Sequence, residues 1–141
     1  HRVATLSLFG GSALLGYGQG TYVPARNSVF LALAASYAET LRADAVVIGA
    51  NALDYTGYPD CRPEYFDAMQ RALDLGTQNP RAKIVAPLLR MSKAEIIRLG
   101  WRLDVPLIAT SSCYNPSPRP CQVCEACLIR DAGFVEARGE P

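Results

Sequence analysis

The chain has 141 residues, 50% of them hydrophobic and 19% charged, with a formal net charge of +1. That length can bury a core of its own as one domain. The balanced charge excludes a broad basic field that would gather nucleic acid or anionic lipid. The apolar run Val29 to Ala38 is too short for a membrane span and follows Arg26 and Asn27 with only Ser28 between. The N-terminus carries no basic-then-apolar signal segment, so the cytoplasm is the expected compartment. The first residue is His1 rather than methionine, which leads us to expect a fragment, a processed product or preceding residues.

Residues 1–26 are irregular, with five glycines between Gly10 and Gly20, and read as a short apolar element followed by a loop. Asn27 is placed to cap a helix over Ser28 to Arg42 that is apolar on most sides and therefore largely buried. "DAVVIGA", Asp44 to Ala50, reads as a core strand. After a loop containing Gly57 and Pro59, Pro63 suits the first position of a helix ending at Leu75, with Gly76 as its stop. "KIVAPL", Lys83 to Leu88, predicts a second strand. "SKAE", Ser92 to Glu95, matches a capping box and opens a helix to Leu99, stopped by Gly100. A short last helix is expected from Glu125 to Ala132.

Strands alternating with helices imply parallel pairing and an α/β layered fold. Two strands make a poor independent sheet, so the chain reads as the second half of something. An incomplete sheet favours a homodimer or a further partner segment. No internal repeat and no dividing linker is visible.

Four of the five cysteines fall within "CYNPSPRPCQVCEAC", Cys113 to Cys127, spaced C-x7-C-x2-C-x2-C. Cys113, Cys121, Cys124 and Cys127 suit a closed tetrahedral zinc site of structural type, one ion per chain. An iron–sulfur cluster is the rival reading, since it also takes four thiolates. Disulfides are disfavoured in the cytoplasm. The metal's role would be to pin a proline-rich loop with no core beneath it. Arg119 and Arg130 lie close enough in sequence to offset the thiolate charge.

Three places outside that loop offer polar groups in useful positions. "YVPARN" sets Arg26 and Asn27 before a helix, where a guanidinium beside a helix N-terminus suits an anion. "GANALDYTGYPDCRPEYF", Gly49 to Phe66, leaves the C-terminal end of a strand, the edge where open α/β sheets bind ligands. Within it Asn51, Asp54, Tyr55, Tyr58, Asp60 and Arg62 offer hydrogen bonds and stacking for a planar heterocycle. Cys61 stands apart and reads as a small buried thiol, because His1 is the chain's one histidine and provides no credible catalytic partner. Lys93, in the first turn of the capped helix, could meet a phosphate.

"TYVPARN", "IGANALDYTGYPDCRPEYF", "PLLRMSKAEII" and "SCYNPSPRPCQVCEAC", taken together and in this order, resemble the C-terminal part of the 7-cyano-7-deazaguanine synthase family. The resemblance runs from about Gly10 to the C-terminus and implies a Rossmann-like parallel sheet of the adenine nucleotide alpha-hydrolase type, incomplete here. Residues 1–141 would be the C-terminal portion of a single synthase domain, with 113–127 as a zinc-binding loop within it. The implied reaction converts 7-carboxy-7-deazaguanine and ammonia, with ATP and magnesium, into the 7-cyano product on the route to queuosine. It implies zinc on Cys113, Cys121, Cys124 and Cys127, nucleotide phosphates near Arg26, Asn27 and Lys93, and the deazaguanine near Asn51, Asp54, Tyr58, Asp60 and Arg62. The partners are then small molecules, with no nucleic acid and no membrane, and no acid or base is assigned.

The family's phosphate loop, S-G-G-x-D-S, does not occur in the 141 residues, and "FGGSALL", Phe9 to Leu15, lacks the aspartate and serine at the required spacing. The expectation is that this chain alone does not turn over ATP while its complete parent does. Two other classes remain open at this point. One is a zinc-stabilised binding or assembly module without catalysis. The other is an ATP-pyrophosphatase acting on tRNA, which would be expected to show basic surface and catalytic cysteine pairs.

Overall fold

The computed structural model describes residues 21–51, 57–78, 82–115 and 119–139. These fall into two compact units, one of residues 21–50, 57–78 and 82–89, the other of residue 51 with 90–115 and 119–139. The predicted opening element before residue 21 lies outside the described residues.

In the first unit, helix α1 (Arg26–Leu41) leads to strand β1 (Ala45–Val47). A 3₁₀ turn (Pro59–Cys61) then runs into helix α2 (Pro63–Gly76), and strand β2 (Lys83–Val85) closes the unit. The two strands pair in parallel, with Val46 opposite Ile84. The expected parallel α/β arrangement is therefore present as a two-stranded sheet. Both strands are shorter than predicted. One further bond, from the Ile48 N–H to the Val85 carbonyl at 3.0 Å, follows the last pair, after which Pro87 has no N–H with which to extend a ladder.

Only one sheet face is covered among the described residues. Val46 and Ile84 pack on a core of Leu31, Ala50, Cys61 and Phe66, joined by Met69 and Leu89. On the other face Val47 is 69% exposed. Helix α1 behaves likewise: Leu31, Ala35 and Ala38 are buried, whereas Phe30, Leu33, Tyr37 and Leu41 are exposed. The expectation of a largely buried helix is corrected to one buried stripe, because its apolar residues surround the axis and the core meets only one side. The helix ends as Arg42 turns left-handed (φ 53°), with the Ala43 N–H on the Ala38 carbonyl at 2.8 Å, which satisfies an otherwise orphan group.

In the second unit, helix α3 (Lys93–Arg102) opens with the predicted capping box. Ser92 Oγ accepts from the Glu95 N–H at 3.2 Å, and Glu95 Oε2 accepts from the Ser92 N–H at 2.7 Å. Gly100 does not stop the helix. It lies inside it because a Cβ there would come within 2.9 Å of Leu107 Cδ1, so the position demands closeness rather than a turn. The stop is Asp104, left-handed at φ 54°, with N–H bonds from Asp104 to Trp101 and from Val105 to Gly100 closing the end. A 3₁₀ turn (Leu107–Ala109) follows, and the chain reaches helix α4 (Glu125–Gly139) through the cysteine loop.

Helix α4 runs seven residues beyond its predicted end at Ala132. Gly133 sits in its middle, where a Cβ would fall 2.5 Å from Lys93 Cγ and 3.2 Å from Ile97 Cδ1. Helices α3 and α4 thus approach closely around Ala94, Ile97 and Ala137. Arg98 of α3 donates to the Glu136 and Ala137 carbonyls at 3.0 and 3.3 Å, meeting the open end of α4 with positive charge. No helix among the described residues is long and apolar enough to cross a membrane.

Removing the cap, Ser92→Ala, should lower stability by about 1 kcal/mol, measured as a shift of the denaturant midpoint at unchanged slope. The Ser92 N–H, first, and its hydroxyl hold the Glu95 carboxyl below its ordinary value of 4.5. That contribution is present above the unfolded value and lost as pH falls through the lower folded one. Ser92→Ala keeps the N–H and removes only the hydroxyl's smaller share, so its difference from wild type should shrink modestly on acidification below about pH 4.3, and a difference that grew there would contradict the assignment.

Candidate metal centre and motif junction

In the first unit the fold joins two segments that lie more than 30 residues apart, 21–28 and 58–65. Ala25 takes a left-handed conformation (φ 53°) and starts α1 without a side-chain cap of its own. Asn27 is not the cap that its residue type suggested. It lies in the first turn, where its backbone N–H donates to Asp60 Oδ2 at 2.9 Å. Its Nδ2 donates to the Asp60 carbonyl at 2.8 Å and to Cys61 Sγ at 3.2 Å. The group at the positive end of α1 is thus the buried Asp60 carboxylate, supplied by the 3₁₀ turn.

Around this junction Ser28 Oγ and the Tyr65 hydroxyl lie 2.9 Å apart, and Thr21 Oγ1 hydrogen-bonds the Tyr58 hydroxyl. Burial, first, pushes the Tyr65 phenol above its ordinary value, against the Ser28 bond. The Arg26 guanidinium stands 5.8 Å from the Tyr58 ring centre, and Tyr22 meets the same ring at 6.4 Å. A cation over an aromatic face is favourable and limits where the guanidinium can point. Half-buried Arg26 and Tyr58 and exposed Arg62 lie near the junction's edge.

Of the residues singled out from sequence, Arg26, Asn27, Tyr58, Asp60 and Cys61 therefore gather in one place. Asn51 is buried and belongs to the second unit, as does half-buried Lys93, whose stem lies against Gly133. Asp54 and Tyr55 lie outside the described residues. Thr21, Ser28 and Tyr65 were not singled out, because nothing in a sequence pairs a serine with a tyrosine 37 residues away.

In the second unit the four sulfurs of Cys113, Cys121, Cys124 and Cys127 all lie within 4.8 Å of one another, and Cys127 is buried. Gln122, left-handed at φ 61°, turns the chain between the second and third ligands. Backbone N–H groups point at the sulfurs: Asn115 and Cys121 onto Cys113 at 3.3 and 3.4 Å, and Cys124 onto Cys121 at 3.4 Å. The Val123 and Cys124 N–H groups push the Cys121 thiol down to about 6, while burial pushes Cys127 up to about 12. Four converging sulfurs with amide donors behind them can hold a metal ion. Arg130, expected to offset thiolate charge, instead donates to neutral oxygens, Thr110 Oγ1 at 2.9 Å and the Leu107 carbonyl at 2.7 Å.

A small parallel sheet with packed helices defines an α/β protein, and it carries a four-cysteine cluster able to take a metal. The family model described as Queuosine biosynthesis protein QueC matches residues 16–138, and the chain belongs to that family. It is similar to the 7-cyano-7-deazaguanine synthase of Picrophilus torridus, at 54% identity over 120 residues, 83% of this chain and 50% of that protein. The protein of the same name from Thermoplasma acidophilum is 53% identical over 85% of this chain and 52% of its own length. That from Acetivibrio thermocellus is 50% identical over 83% of this chain and 54% of its own length. The chain spans about half the length of the curated relatives it matches.

Removing the Asp60 carboxylate takes an ionised partner from the first turn of α1. Asp60→Ala should lower the unfolding free energy by about 1–2 kcal/mol. Asp60→Asn, which keeps an acceptor oxygen, should cost roughly half of that. Urea titration of the two variants checks the order, and an Asp60→Ala chain as stable as wild type would refute the capping role.

Proposed function

We propose that the complete protein containing this chain is a 7-cyano-7-deazaguanine synthase. It would convert 7-carboxy-7-deazaguanine and ammonia to the 7-cyano base at the expense of ATP, in queuosine biosynthesis. The observation that carries this reading is identity of about half across more than four-fifths of the chain to proteins of that name. The meeting of "YVPARN" with "GYPDCRP" at one junction adds support. The two-stranded sheet is read as part of a larger Rossmann-like parallel sheet.

The chemistry requires activation because a carboxylate oxygen is a poor leaving group. Transfer of AMP to the carboxylate makes a mixed anhydride and releases pyrophosphate, and ammonia then displaces AMP to give an amide. A second adenylation activates the amide oxygen, and its departure with AMP leaves the nitrile. In this reading Arg26 and Lys93 neutralise phosphate charge as pyrophosphate leaves. Tyr58 stacks on the deazaguanine, and Arg62, Asn51 and Asp54 hydrogen-bond its edges. The bonds that Asn27 and Asp60 make to each other favour for both a share in the site by holding the 58–62 segment against α1, so that Arg26 and Tyr58 keep their places.

For the cysteine cluster we propose one structural zinc per chain. A tetrahedral ion with bonds of about 2.3 Å sets sulfurs about 3.8 Å apart, and sulfurs already within 4.8 Å need only a small contraction. The ion would cross-link the two ends of the loop and, with all four positions filled by sulfur, would take no part in the reaction. Metal analysis should return one zinc per chain, and iron with acid-labile sulfide would sink the assignment. Cys121→Ala should abolish tight uptake and lower stability by several kcal/mol, roughly.

The activity is tested on the complete protein with 7-carboxy-7-deazaguanine, ammonium and magnesium ATP. Chromatography should show the 7-cyano base and AMP together, and neither forming would overturn the proposal. Arg26→Ala and Lys93→Ala should each lower kcat/KM for ATP by roughly 10–100-fold. Tyr58→Ala should act mainly through KM for the deazaguanine.

A further inference from the structure

The four ligands of the cysteine cluster are not equally tied together. Cys121, Cys124 and Cys127 follow one another with two residues between each, the last within the first turn of α4. Their mutual placement is set by a tight turn and a helix start. Cys113 stands eight residues before Cys121 and reaches the others from a different strand of the loop. Bringing such an arm into place costs conformational entropy unless another contact has already done so.

That contact is present. Arg130 lies in α4, three residues after Cys127, and its guanidinium forks onto the segment that leads to Cys113. One terminal nitrogen donates to Thr110 Oγ1 at 2.9 Å and the other to the Leu107 carbonyl at 2.7 Å. The Thr110 hydroxyl and N–H donate to the same carbonyl at 2.6 and 3.1 Å, so the fork grips a closed turn. The guanidinium lies 4.9 Å from the Phe134 ring centre, which confines it from the side. Leu107 is itself seated against Gly100 of α3. Cys113 follows Thr110 by three residues, so the free arm of the site is clamped to the helix that carries the last ligand.

We propose that Arg130 is a positioning residue for the metal site, presetting Cys113 by its forked bonds to Leu107 and Thr110 rather than by neutralising thiolate charge. The proposal rests on the reading of the four cysteines as metal ligands. Geometry separates the two roles, because lysine carries the same charge but cannot span two acceptors with a planar fork or lie flat on a ring. Groups that orient metal ligands from behind are worth about 10–100-fold in affinity.

The test compares the wild-type protein with Arg130→Met, Arg130→Lys and Thr110→Val. Cobalt(II) is titrated in and followed by its thiolate charge-transfer absorption, and zinc affinity is read by competition with a chromogenic chelator. Arg130→Met should bind at least tenfold more weakly, Arg130→Lys should match it, and Thr110→Val should lose about threefold or more. At saturation all should show the wild-type four-thiolate cobalt spectrum, since no ligand has been removed. Arg130→Lys within twofold of wild type would overturn the proposal in favour of charge, and Arg130→Met within twofold would overturn it outright. Should Arg130→Met fail to fold, as far-ultraviolet circular dichroism would reveal, Thr110→Val decides, and affinity within twofold of wild type overturns the proposal. A wild-type protein that takes up no cobalt overturns both this inference and the metal reading beneath it. Normal uptake with indifferent variants overturns this one alone.

Discussion

The carboxylate of Asp60 accepts the backbone N–H of Asn27 in the first turn of α1, and the first unit is organised around that bond. A helix start leaves N–H groups without partners and carries partial positive charge, so an ionised oxygen there is held more firmly than at an ordinary surface. Once the carboxylate is in place, the Asn27 amide is aligned to grip the Asp60 carbonyl and the Cys61 sulfur. The turn that carries them then presents Tyr58 beneath Arg26. Cys61 is buried as part of the same lock and contributes to the core with Leu31 and Phe66. A thiol in that position is a packing group with an amide donor on it.

The second unit uses the same device with the opposite charge. Arg98 and Arg130 reach backbone carbonyls that lie 23 to 39 residues away in sequence, one at the end of α4 and one in the turn after α3. Small residues make the reach short. Gly100 and Gly133 are places where a single methyl would meet a neighbouring side chain, and the helices close on each other because nothing stands there. One consequence touches the proposed chemistry. The stem of Lys93 lies in the Gly133 notch, so the helix that completes the cysteine cluster also shapes the ground on which the proposed phosphate-binding lysine stands.

The uncovered face of the sheet and the exposed apolar side of α1 share a cause. Two three-residue strands offer one row of inward side chains per face, and both helices of the first unit serve the face with Val46 and Ile84. Val47, Leu41 and Tyr37 are as apolar as their buried neighbours but lack a layer to meet among the described residues. The sequence pattern, apolar nearly all round α1, records a helix suited to burial on more sides than one.

Local chemistry was legible in the residues themselves. The capping box at Ser92, the proline opening α2 and the spacing of the four cysteines depend on neighbours within a few positions, and each stands where the pattern put it. What needed the tertiary structure was every decision made by a distant partner. Asn27 had the side chain of a cap, yet the cap is Asp60, because a helix start accepts whichever oxygen the fold delivers. Gly100 had the conformational freedom of a stop, yet it is interior, as Gly133 is, because glycine is equally the residue that lets another element come close. Arg130 had the charge to balance thiolates, yet it binds carbonyl and hydroxyl oxygens, since a guanidinium goes where two acceptors match its fork. Sequence therefore determined which groups were available and the spacing of the sulfurs. The fold alone determined which partner each group found, because pairing across 20 to 40 residues is set by packing and leaves no local trace.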